Sequence, residues 1–262
     1  KLKINYYIMN FEYIFKKSYS EYKKNFKNIF LLSLIFMGIP WILSTLIFNF
    51  YIFKNQDFYN GFINNQLTNL PILSTSFFLS IFIVGLIYFI FYFIFGAGLV
   101  KESITGEFNF HKTVNSGKNN FWKLVWFFIV VSFFLMLLFL ALIIPGIIFA
   151  IYWSVAVFAY FESKKTVIES LKTSFNMVKG NWWKIFGYSV LMSILGIIVS
   201  FVLSIVIVPT ELLIYNSENP SANLLTIHII LNAISNFLFN LITIPFFILF
   251  CKNIYLELKK RK

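Results

Sequence analysis

Residues 121–161 form a 41-residue run whose only charge is Lys123, near its start. As one helix it would be about 60 Å long, twice the roughly 30 Å of a bilayer's hydrocarbon. The run must therefore fold back, and Pro145-Gly146 is the only turn signal inside it. The expectation is a helical hairpin, spans 124–144 and 146–161, with almost no external loop.

Other long apolar stretches predict spans at 29–50, 72–100, 182–208 and 224–250. A soluble fold could bury many of the 36 phenylalanines, but not several uncharged runs longer than about 18 residues. Only 12% of the residues are charged, about half the usual share of a soluble domain. The charges test the span count independently. Segments 1–27, 101–123, 162–184 and 252–262 hold 7, 4, 5 and 5 basic residues, and the opposite side holds one, Lys54. Lysine and arginine favour the cytoplasmic side, so six spans with both termini cytoplasmic are expected. The net charge of +12 then reads as topology and contact with anionic headgroups, not as nucleic-acid binding. The chain opens on Lys1, which suggests a trimmed start, and residues 1–27 are too rich in Lys and Tyr for a signal peptide. The lone Cys251 admits no internal disulfide and reads as an apolar filler near a helix end.

Within residues 10–24, Phe11, Ile14, Phe15, Ser18, Tyr19 and Tyr22 share one helical face, with Glu12, Lys16 and Lys23 opposite. Such a helix is expected to lie in the membrane interface. Pro40 is expected to kink the first span. The segments 51–70 and 209–223 read as polar loops. Aligning Asn25, Asn120 and Asn181 suggests a threefold repeat. Each asparagine precedes an aromatic residue (Phe26, Phe121, Trp182), and seven residues earlier stand Ser18, Thr113 and Ser174. The predicted fold is thus an all-α, single-domain membrane protein. Three units, about 10–100, 101–161 and 162–257, would each be an interfacial helix, a turn and a two-span hairpin. The third copy carries the clearest punctuation: Thr166-Val-Ile-Glu169 as a capping box and Gly180 as a C-terminal cap.

Pro145-Gly146, Trp153, Glu162, Glu169-Ser-Leu, Ser174 and Val178-Lys-Gly-Asn-Trp-Trp183 together resemble the membrane-domain family found fused to glycerophosphoryl diester phosphodiesterases, and its stand-alone membrane relatives. The ending Tyr255-Leu-Glu257-Leu-Lys259-Lys-Arg261 is similar to that family's closing Tyr-x-Asp-Leu-Arg-x-Arg, with Glu and Lys as conservative departures. The resemblance is specific over 145–187 and the tail, and architectural over 1–120. It implies a six-span helical domain without an activity of its own, since the fused phosphodiesterase would follow the last span and the chain ends soon after it.

The ten carboxylates all fall outside the predicted spans or at their ends, and none pairs with His111 or His228 at metal-ligand spacing. No catalytic, cofactor or metal site is expected. In span six, His228, Asn232, Asn236 and Asn240 recur every fourth residue beside Ser235 and Thr243. The stripe is expected to face the bundle, as interhelical hydrogen bonding or as the wall of a hydrated cavity. Two small-residue seams, Ser189, Ser193, Gly196, Ser200 and Ser204 in span five and Gly146, Ala150 and Ser154 in span four, are expected to let helices approach closely. Lys172, Lys179, Asn181, Trp182, Trp183 and Lys184 have the chemistry of lipid-headgroup contacts. Two roles fit: a non-catalytic membrane-organising or partner-binding scaffold, its partner another protein or a second copy of itself, or a permease or lipid-handling protein with a cavity along span six.

Overall fold

Asn10 opens the first helix, its side chain accepting the Glu12 N–H at 2.9 Å, and Glu12 pairs with Lys16 one turn on. This is the first helix of a computed structural model that describes residues 10–44, 75–106, 108–163, 165–217 and 222–261. The described residues form ten helices in order: α1 (Phe11–Lys24), α2 (Phe26–Ser44), α3 (Thr75–Thr105), α4 (Phe110–Ala141), α5 (Ile143–Tyr152), α6 (Ala156–Glu162), α7 (Val167–Val178), α8 (Trp182–Ser204), α9 (Val208–Tyr215) and α10 (Ala222–Lys259). No strand occurs among the described residues. Among the described residues six segments are long and apolar enough to cross a membrane: α2, most of α3, α4, α5 with α6, α8 and most of α10. The end of the first predicted span and the loop at 51–70 lie outside the described residues.

The long apolar run does fold back, but three residues before the proline. Leu142 is extended (φ −163°, ψ 138°), and Pro145 stands in the first turn of α5. A first turn needs no N–H from its residues, so proline fits inside it and the break moves ahead of it. The loop expected at 209–223 also begins as helix: Pro209 and Glu211 occupy the first turn of α9, both favourable there. In α2 the disturbance near Pro40 takes the form of a π-helical turn, Leu34–Gly38, in which Ile39 donates to Leu34.

Buried side chains concentrate at the end of the bundle that carries the basic segments. There α1 lies across α10: Asn253 donates to Ser18 at 3.0 Å, and Lys252 meets Glu21 at 2.5 Å. Glu162 accepts from Tyr255 at 2.7 Å and Lys259 at 2.6 Å, and Arg261 donates to Asn181. The first, third and fourth basic segments thus meet at one end, and Lys101 of the second reaches the Phe161 carbonyl. Between α3 and α4, a Cβ on Gly98 would collide with the Thr113 carbonyl and one on Gly117 with that of Ile94. The two backbones touch through their glycines. Farther along, the spans separate and carry exposed apolar side chains, among them Phe82, Leu140, Ile197 and Phe201. That is the surface a helix shows to lipid.

The three aligned joints differ in backbone. Ser18, Thr113 and Ser174 are all buried. Yet only the third joint is a true break, at Gly180 with φ +87°. At Asn25 the chain leaves the helix for one residue, and through Asn120 α4 runs on without interruption. Close packing on α3 explains the continuity, because Gly117 serves the contact instead of a turn.

Candidate functional site

Above the packed base the separating spans enclose a cavity of about 760 Å³. Its floor is Phe95, Val100, Leu124 and Phe158, all buried, with Cys251 beside them. Its walls come from α3 (Tyr92, Gly96), α4 (Phe128, Val131), α5 and the turn after it (Ala150, Trp153), α8 (Met192, Gly196) and α10 (Phe239, Thr243, Phe246). Helix α1 adds Phe15, Tyr19 and Tyr22 from the base. Five of the six spans therefore share one space. Tyr19, Phe128 and Phe247 keep about half their surface (54%, 47% and 50%), so the walls are accessible.

The chemistry of the lining is apolar. Ser154 and Thr243 turn their hydroxyls onto the backbone carbonyls of Ile151 and Phe239, which leaves mainly their carbon atoms to the cavity. Tyr22 donates to the Leu241 carbonyl at 3.4 Å, and burial pushes its phenol above the ordinary range. A volume within the roughly 300–1,000 Å³ of ligand pockets, walled by aromatic and aliphatic groups, suits a hydrocarbon guest better than a hydrated ion.

A smaller groove of about 350 Å³ lies against α7, between Phe134, Phe149, Leu171 and Phe175, with Lys172 and Asn176 also lining it. Trp153 borders both spaces. It sits where α5 gives way to α6, at φ −97°, ψ 2°. Helix α7 is fixed by the anticipated capping box: Thr166 Oγ1 accepts the Glu169 N–H, and Glu169 accepts the Thr166 N–H at 2.8 Å. The Thr166 backbone N–H, then its hydroxyl, hold the Glu169 carboxyl below its usual range.

The span-six stripe divides. Thr243 lines the cavity. Asn236 donates to the Asn232 carbonyl and side chain, and Asn240 to the Asn236 carbonyl, all along their own helix. Asn232 and Asn236 are exposed, Ser235 and Asn240 half-buried. Asparagines spaced at four residues satisfy one another up the helix and so need no facing partner. His228 Nδ1 lies 2.9 Å from Thr210 Oγ1 and ties α9 to α10. In span five the small-residue seam does not close on a neighbour: a Cβ at Gly196 would meet nothing within 4 Å, because the cavity lies there. In span four Gly146 does work as a contact, its missing Cβ filled by the Phe139 ring.

Of the expected headgroup contacts, Trp183 is 77% exposed, and Lys172, Lys179 and Lys184 are exposed as well. Trp182 instead packs inward, stacked on Phe186 at 5.2 Å and donating to the Ile148 carbonyl at 3.2 Å. Asn181 accepts from Arg261.

No family model, curated protein or solved structure matches this chain. Its fold and surface define the class without them: a polytopic, all-α integral membrane protein with six spans.

Proposed function

We propose that the protein is a lipid-handling membrane protein that holds a lipid-like apolar molecule between its spans, with no catalytic step of its own. The observation that carries this is the apolar cavity shared by five spans. It favours the lipid-handling reading over that of a scaffold, and it replaces the hydrated pathway along span six with an apolar one. A non-catalytic role is supported by the engagement of four carboxylates at the packed base. Glu21 and Glu162 are in ion pairs, Glu169 is in a cap, and Glu102 accepts from Ser116 and Thr105 and pairs with Lys112. The lysine distribution supports a cell-membrane location with both termini cytoplasmic. Kinship with the phosphodiesterase-linked membrane-domain family belongs to the same proposal and rests on the motifs at 145–187.

The test fills the cavity. Gly196→Phe places a ring in open space, and Gly187→Phe, equally open but away from the lining, is the control. Native mass spectrometry after purification in mild detergent should find phospholipid retained by the parent and the control and reduced in Gly196→Phe. Equal retention in all three would sink the reading. Orientation is checked separately with an impermeant thiol reagent. It should reach Tyr215→Cys on intact cells and miss Lys172→Cys; the reverse ends the topology.

A further inference from the structure

Lys101 and Lys123 converge on one residue. The Lys123 ammonium lies 5.1 Å from the centre of the Phe161 ring and 4.7 Å from that of Tyr160, and Lys101 Nζ lies 3.5 Å from the Phe161 carbonyl oxygen. Both side chains are half-buried. Among the described residues no carboxylate lies within ion-pair distance of either. The carboxylates next in sequence to this cluster are already committed. Glu162 is in contact with Tyr255 and Lys259 and acts on Lys101 only from beyond ion-pair distance, and Glu102 is held by Ser116, Thr105 and Lys112. Aromatic faces and one carbonyl offset part of the cost of holding two ammonium groups out of water. They do not neutralise two charges.

The level and surroundings of the pair point to its counter-charge. Trp122 and Trp126, one turn apart and flanking Lys123 on α4, are both exposed, at 76% and 58%. Exposed tryptophans at the end of an apolar span mark the headgroup level of a membrane. The neighbouring residues Val100 and Leu124 line the cavity, and so does Phe127, which stacks on Tyr160 at 5.5 Å. The cations and the cavity share a wall.

We propose that Lys101 and Lys123 bind the phosphate of an anionic phospholipid, so that the lipid taken by the cavity is selected by headgroup charge. This rests on the cavity being a lipid site, and the experiment separates the two claims. Protein is equilibrated in vesicles of equimolar phosphatidylglycerol and phosphatidylcholine, re-extracted, and its retained lipid weighed by native mass spectrometry. The wild-type protein should be enriched in phosphatidylglycerol over the input. The double variant K101Q/K123Q should retain as much total lipid at the input ratio, with a loss of about fivefold in preference per lysine. K101R/K123R should keep the preference, whereas Gly196→Phe should lower both lipids equally. Should the double variant fail to fold, K123Q alone must lose about fivefold. Absent enrichment in the wild type, or unchanged enrichment in the glutamine variants, overturns the headgroup site. Retention of neither lipid overturns the cavity reading itself. Excess inorganic phosphate should leave the ratio unchanged; competition would assign the site to free anions and overturn the lipid assignment.

Discussion

Removing one or the other partner of the Glu21–Lys252 pair should have unequal consequences. Lys252 is only 3% exposed, and Glu21, at 2.5 Å, is its ion-pair partner. Glu21→Gln leaves that ammonium buried beside a neutral amide. A buried pair broken in this way costs about 3–5 kcal/mol, and the remaining amide oxygen can still accept a hydrogen bond, so about 3 kcal/mol is expected. Lys252→Met leaves the charge on Glu21 instead, which is 29% exposed and still accepts from Asn253 at 3.1 Å. Water reaches that carboxylate, so about 1–2 kcal/mol is expected. Combining the two substitutions removes both charges from the junction and should cost less than the sum of the singles, with a coupling of about 2 kcal/mol. Titration of the detergent-solubilised protein with sodium dodecyl sulfate, followed by helical circular dichroism, gives the four stabilities. Limited proteolysis after Lys23 and Lys24 reports whether α1 has left α10. Equal costs for the singles, or strict additivity in the double variant, would refute the assignment of Lys252 as a buried charge that depends on Glu21.

Two further expectations concern the helix ends and contacts. Because hydrogen bonds from Thr166 depress the Glu169 carboxyl in the folded chain, the capping contribution is present above the ordinary carboxylate range, about 4.3, and fades as pH falls through the lower folded value. Amide protection factors in the first turn of α7, taken against the intrinsic exchange rate at each pH, should therefore fall on acidification below about 4.3, and the fall should be absent in Glu169→Gln. Gly117→Leu should lower stability by about 1–3 kcal/mol or prevent assembly through overpacking against Ile94, while Gly187→Leu should be nearly neutral. Thermal unfolding monitored by size-exclusion fluorescence separates them, and equal effects would contradict the α3–α4 contact.

The spans were legible because a run of 41 residues with one charge has few physical options, and because lysines sort by side. The cap at Thr166 was legible for a similar reason: its partners are three residues apart. Contacts at the base were not. Glu21 and Lys252 carry no sequence mark of each other across the whole chain, and Lys252 looked like any topology-setting charge. Glycine was ambiguous in both directions. Gly117 lies where a turn was expected yet is the contact itself, while Gly196 belonged to a neat seam yet borders empty space. A small residue permits either close approach or a void, and only the neighbouring helices decide which. For the same reason the cavity had no signature in the residue pattern. The asparagine stripe misled because its spacing lets the side chains satisfy their own helix.

The junction between α1 and α10 has a temporal side. Its two partners, Glu21 and Lys252, are 231 residues apart. At roughly 5–20 residues per second of synthesis, the N-terminal helix waits about 10–50 s for the tail that will cover Ser18 and Glu21. During that interval five spans are synthesised with the base unfinished, and α1, made before them, is fixed only after them.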